Sequence, residues 1–97
     1  MIAVTAELRA KPGCQQDLER LMGSMAQRAT TDEPGCRVFR LARSRHDPQL
    51  YLSFQRYDDD AAMSAHSHAE YFTSAIPAMM ECLEELPRLA VFDELGD

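Results

Sequence analysis

The chain has no tryptophan, four glycines and only three cysteines among its 97 residues. Cys14, Cys36 and Cys82 are odd in number, widely spaced and without a C-x-x-C pair, so neither a disulfide framework nor a thiolate zinc site is expected. Basic residues are scarce too. Ten Lys and Arg stand against sixteen Asp and Glu, a formal charge of −6, which is the opposite of the electrostatic footprint of a phosphate-backbone binder and excludes nucleic acid as an expected partner. No run reaches the roughly eighteen apolar residues of a membrane helix. The opening stretch carries acidic Glu7 inside it, with Arg9 and Lys11 at its far end, the reverse of a signal peptide's charge order. A cytoplasmic chain with no membrane partner is expected.

What is present has the length of one domain, residues 1–97, with no internal repeat. A domain this short buries about two-thirds of its unfolded surface, so association with a second copy is expected to thicken its core. Ile2, Val4, Ala6 and Leu8 alternate with Ala3, Thr5, Glu7 and Arg9, the pattern of a strand with one apolar face. After Lys11-Pro12-Gly13, the spacing of Leu18, Leu21, Met22, Met25, Ala26 and Ala29 predicts an amphipathic helix from about Cys14 to Thr30. Thr31 to Gly35 form a turn. Cys36 to Arg43 and Leu50 to Tyr57 read as two strands joined through His46-Asp47-Pro48. Asp58 or Asp59 caps a short helix through His66. A second apolar stripe follows from Tyr71 to Leu86, with a kink or split predicted at Pro77, and a last strand covers Leu89 to Leu95.

This order, β-α-β-β-α-β, predicts an α+β ferredoxin-like subunit: a four-stranded antiparallel sheet with its helices on one face. Apolar residues of both parities, such as Phe54 with Tyr57 and Val91 with Phe92, predict that the other face meets a second subunit as a homodimer.

Several residues carry candidate chemistry. His66 is a candidate base, because imidazole titrates near neutral pH; the plainer reading is a hydrogen-bonded helix end. His66 and His68 do not share a metal ion on a helix, where residues two apart diverge by about 200°. Asp58, Asp59 and Asp60 read as capping and solvated carboxylates rather than calcium ligands. The methionines at 22, 25, 79 and 80 read as helix-on-sheet core, with a greasy binding cavity as the alternative. Glu7 interrupts a strand face and is either a substrate contact or an exposed residue. Cys36 reads as a small packed residue. Arg37, Arg40, Arg43 and Arg45 read as surface partners for the carboxylate excess.

The succession Val4-Thr5-Ala6-Glu7, Lys11-Pro12-Gly13, Glu33-Pro34-Gly35-Cys36, Asp47-Pro48, Phe54-Gln55-Arg56-Tyr57, Ala65-His66 and Tyr71-Phe72 resembles the antibiotic biosynthesis monooxygenase domains, dimeric α/β barrels with a ferredoxin-like subunit. The chain departs from many members in having Phe39 in place of Tyr, Gln55-Arg56-Tyr57 in place of Glu-x-Trp, and Tyr71 in place of a second His. The haem-degrading branch is less similar, because its haem-ligating His falls at about Ile76, and isoleucine cannot ligate iron.

The resemblance implies oxidation of a small aromatic quinol, phenol or polyketide by dioxygen, with no metal, flavin or haem cofactor. His66 is then the base or proton shuttle and Tyr57 its catalytic neighbour. Glu7, Phe39, Tyr71 and Phe72 are then substrate-binding. Two alternatives stand beside this reading. One is an isomerase of a small anionic carbonyl metabolite, suggested by Tyr57 and His66 nine residues apart and by the arginines, although alternation keeps Arg40 on the opposite side from Arg37 and Arg43. The other is a barrel that binds a ligand and catalyses nothing.

Overall fold

Alternation in β1 (Ile2–Arg9) buries Ile2, Val4, Ala6 and Leu8 together. The computed structural model describes residues 1–96. Gly13 takes a φ of +88°, which lets the Lys11-Pro12-Gly13 turn deliver the chain into α1 (Gln15–Asp32). That helix buries Leu18, Met22, Met25 and Ala29, one side of a 3.6-residue period. Next come β2 (Cys36–Arg43), β3 (Leu50–Tyr57), α2 (Asp60–His68), α3 (Glu70–Glu81) and β4 (Arg88–Asp93). The strands form one antiparallel sheet in the order β2-β3-β1-β4. This is the predicted ferredoxin-like α+β fold with the second helical segment divided in two.

The helices divide between His66 and Tyr71, as expected, but the further kink or split expected at Pro77 is absent. Ala69 adopts an extended conformation between α2 and α3, while Pro77 lies inside a continuous α3. Pro77 and Thr73, one turn earlier, are both exposed. The Thr73 carbonyl that would accept from residue 77 is therefore free to be solvated, which lowers the cost of proline in a helix. Asp59, not Asp58, caps α2, accepting from the Ala62 amide at 2.9 Å.

Two local features aim side chains at the helix-covered face. A bulge at Arg37 sets Cys36 opposite Tyr57 but Val38 opposite Arg56. Phe39 and Leu41, opposite Gln55 and Ser53, therefore share the inner face with Val4 and Ala6, while Arg40, opposite Phe54, faces outward. Gly35 meets α2 closely: a Cβ there would lie 2.4 Å from the Ala62 Cβ.

The outer sheet face has no helix of its own. Leu52, Phe54 and Phe92 are exposed there, at 41%, 38% and 52%. Strand β4 is an edge and is exposed on both sides, with Leu89 and Val91 open on its inner face.

Candidate active site

Between the sheet and the helices lies a cavity of about 500 Å³, within the range of small-molecule sites. Its floor is Val4 and Ala6 of β1, Phe39 of β2, Ser53, Gln55 and Tyr57 of β3, and Leu89 and Val91 of β4. The helices supply His66, Phe72 and Ile76 and a wall of Met22, Met25, Met63, Met79 and Met80. Five of the chain's six methionines thus line one chamber. Met22, Met25 and Met79 are also buried core residues, so the core and greasy-cavity readings describe the same atoms.

The last turn of α2 carries His66 inward, where it is buried at 5% exposure. Four aromatic rings surround the imidazole: Phe72 with centroids 4.7 Å apart, Phe39 at 5.5 Å, Tyr57 at 5.7 Å and Tyr71 at 6.3 Å. Its Nδ1 lies 2.9 Å from Glu33 Oε2, in the segment between α1 and β2. The Tyr71 hydroxyl donates to the same oxygen, and Arg28 sits 4.7 Å over the Tyr71 ring. Glu33 Oε1 is buried with no protein partner.

Because an ionised carboxylate only accepts, the Nδ1 proton is assigned to the bond with Glu33, which leaves Nε2 as the acceptor of the neutral ring. Tyr71 remains a phenol at neutral pH, held upward by burial and then by Glu33. Burial likewise pushes Tyr57 up, with Cys36 and Glu33 adding to it, so Tyr57 acts as a hydrogen-bond donor rather than a base. Its hydroxyl donates to Gln55 Oε1 at 2.6 Å, and Gln55 Nε2 donates to Ser53 Oγ at 2.9 Å.

The structure brings together His66, Tyr57, Phe39 and Phe72 around the cavity. Tyr71 stands behind the imidazole, tied to Glu33, and is not part of the cavity lining. Glu7 is exposed on the opposite sheet face, between Leu52 and Arg88 on the neighbouring strands; the parity that buries Val4 and Ala6 turns it away. His68 points out of the site, with Nδ1 2.8 Å from the Ser64 carbonyl oxygen. Cys36 is packed, and burial raises its thiol to about 11.

No arginine of the described residues lines the cavity. Arg37 pairs with Asp58, Arg43 with Glu19 and Arg56 with Glu94, at 2.7, 3.2 and 3.0 Å. These are exposed or half-exposed pairs; of the four arginines read as surface partners, Arg37 and Arg43 have a carboxylate partner and Arg40 and Arg45 have none among the described residues.

Sequence reasoning misses Glu33, which reads only as a turn residue, and the polar pair Ser53 and Gln55. Each leaves a trace. A carboxylate at a helix C-terminus opposes the macrodipole and needs another reason to be there. In β3 the polar residues point inward while Leu52 and Phe54 point out, an inversion of the usual pattern.

The same fold occurs in Rv0793 from Mycobacterium tuberculosis, 23% identical with a TM-score of 0.90, covering 99% of this chain and 96% of that one. A candidate antibiotic biosynthesis monooxygenase from Caulobacter crescentus CB15 is 27% identical with a TM-score of 0.93, covering 98% and 90%. PA3566 from Pseudomonas aeruginosa is 25% identical with a TM-score of 0.88, covering 98% and 94%. Among proteins with curated descriptions, none matches in sequence. The sequence profile of the antibiotic biosynthesis monooxygenases matches residues 1–78, the span that holds β1 to most of α3 and with them Glu33 and His66, and the chain belongs to that family.

Proposed function

We propose that the chain is a cofactor-independent monooxygenase acting on a small, electron-rich aromatic compound such as a quinol or an anthrone. The carrying observation is the buried Glu33–His66 contact at the wall of an otherwise largely apolar cavity. An imidazole whose Nδ1 is tied down can take a proton at Nε2, and the resulting imidazolium is stabilised by the carboxylate behind it.

The chemistry needs little more. Removing a proton from the substrate makes an anion that passes one electron to dioxygen, and recombination forms a C–O bond. Loss of water then leaves one oxygen atom on the product, the substrate supplying both electrons. Phe39, Phe72 and the methionines exclude water and pack the ring, Tyr57 anchors the polar floor, and Tyr71 helps to hold Glu33.

The working unit in this reading is a homodimer. The exposed Leu52, Phe54 and Phe92 of the outer face and the doubly exposed β4 support it, since Leu89 and Val91 line the cavity while remaining open to solvent in one subunit. No helix among the described residues is long and apolar enough to cross a membrane, which is compatible with a cytoplasmic site of action.

The test is oxygen uptake by metal-free protein with a panel of naphthoquinols and anthrones under labelled dioxygen. One labelled atom is expected in the product, with the rate falling ~10²-fold or more in His66→Ala. Equal rates for wild type and His66→Ala with every compound consumed would remove the base from the mechanism. The arrangement of the arginines gives no support to a phosphate-binding isomerase.

A further inference from the structure

Helix α1 begins and helix α3 ends on a cysteine. Cys14 stands at the cap position of α1, where Ser, Thr, Asp or Asn would accept from the first turn, and its side chain makes no such bond. Cys82 follows the last residue of α3, and only its backbone amide serves that helix end, reaching the carbonyls of Met79 and Met80. Both are free thiols and half-buried. Neither lines the cavity.

The fold brings the two together although they lie far apart in the chain. Beyond β1, Ala10 pairs with Leu83 in an isolated antiparallel bridge, where the Lys11 amide donates to the Cys82 carbonyl and the Glu84 amide to the Arg9 carbonyl, each at 2.8 Å. A tight turn then returns the chain at once, the Cys14 amide donating to the Lys11 carbonyl at 3.0 Å. One face of α1 thus starts at Cys14 and continues at helical spacing through Asp17 and Leu21, which share a groove with Ala78, Glu81 and Cys82 at the end of α3. The side chains of Cys14 and Cys82 meet at the head of this groove.

We propose that Cys14 and Cys82 form a reversible disulfide, a modification site for small disulfide oxidants of the glutathione class that staples the start of α1 to the end of α3. The Cys14 thiolate attacks one sulfur of the oxidant, forming a mixed disulfide and expelling the other half as a thiolate, which takes up the proton that Cys14 lost. The Cys82 thiolate then attacks Cys14 Sγ, the bond to the oxidant's remaining half breaks, and that half leaves with the Cys82 proton. Two protein thiols are oxidised and one small disulfide is reduced to two thiols. Burial, and after it Cys14 and Asp17, hold the Cys82 thiol upward, so Cys14 attacks first and Cys82 resolves. Cys36 is packed on β2 at 4% exposure and stays reduced. Because α1 and α3 both supply methionines to the cavity wall, the closed bond fixes the separation of the two helices that carry it.

The experiment exposes reduced, folded protein to oxidised glutathione and reads intact mass, thiols titrated in denaturant, and melting temperature. Thiols are expected to fall from three to one, with the loss of two hydrogen masses, and dithiothreitol to restore both. The cysteines fall in separate tryptic peptides, 10–20, 29–37 and 57–88, and the joined pair should be 10–20 with 57–88. Closing a loop of about 70 residues should raise the melting temperature by roughly 10 °C. Cys82→Ser should stop at a glutathione adduct on Cys14 with no gain in melting temperature, and Cys36→Ser should form the bond as wild type does. Cys14→Ser installs a better helix cap, keeps the test alive if the Cys82 variant does not fold, and should form no bond.

Three thiols still titrating after exposure, a bond mapped to Cys36 or between two chains, or bonded protein that melts with the reduced form would overturn the proposal.

Discussion

Replacing Glu33 separates what its charge does from what its hydrogen bonds do. In Glu33→Ala the His66 Nδ1–H and the Tyr71 hydroxyl both lose their acceptor. Each buried donor left without a partner costs about 1–3 kcal/mol. Relief from burying the carboxylate, whose Oε1 has no partner, offsets part of that, so a net loss of about 3 kcal/mol is expected against a total stability of about 5–15 kcal/mol. The melting temperature should fall by roughly 15 °C, measured at one fixed protein concentration because association would shift it. Glu33→Gln keeps an amide oxygen for both donors and removes only the charge. A bond to a charged acceptor exceeds a neutral one by about 1–1.5 kcal/mol, so the Gln variant should stay folded and oxidise quinol or anthrone about tenfold more slowly. Oxygen-electrode rates, corrected for spontaneous oxidation, give the comparison directly. The reasoning fails if Glu33→Gln turns over within twofold of wild type while His66→Ala is inert, because the carboxylate would then contribute nothing to the imidazolium. It also fails if Glu33→Ala melts with wild type.

Three further outcomes are expected. Gly35→Ala places a methyl group 2.4 Å from the Ala62 Cβ, and should cost about 1–3 kcal/mol in urea unfolding; Ala62→Gly on that background should recover part of the loss, and no recovery would exclude this contact as the cause. The raised thiol of Cys36 and phenol of Tyr57 keep their protons longer in the fold than in the unfolded chain, so stability present at pH 8 should be lost as pH rises from about 9 to 11; Cys36→Ala should lose less over that window, and parallel decline of both proteins would locate the effect elsewhere. Wild type should sediment at twice the 11.0 kDa chain mass and Phe54→Glu, on the open sheet face, as a folded single chain, whereas a wild-type protein sedimenting as one chain at tens of micromolar would end the dimer reading.

The strands were the most legible part of the chain, because a two-residue period with clear punctuation admits few alternatives. The bounds of β1, β2 and β3 can be read directly from Ile2–Arg9, Cys36–Arg43 and Leu50–Tyr57. Boundaries set by capping and by solvent were harder. Pro77 looks like a break but sits where its missing hydrogen bond faces water, inside a continuous α3, and that helix ends at Glu81, short of the stripe's last apolar residue, Leu86. His66 stood out because imidazole is rare here and titrates usefully, yet its partner Glu33 lies 33 positions away, a separation that no local pattern spans.

The inverted strand β3 shows why hydropathy alone misplaces this site. Aligning its apolar residues inward would put Leu52 and Phe54 in the core and turn Ser53, Gln55, Tyr51 and Tyr57 out, a slip of one residue. The register observed instead puts Tyr51 and Tyr57 inside, at 1% and 0% exposure, where they fill the core at the two ends of the strand. Their phenol oxygens find Glu19 and Gln55 as acceptors. That choice carries Ser53 and Gln55 into the chamber beside His66 and leaves Leu52 and Phe54 outside. One register thus produces both a polar floor beside a buried imidazole and, on the outer face, the exposed Leu52 and Phe54 against which a second copy of the chain would pack.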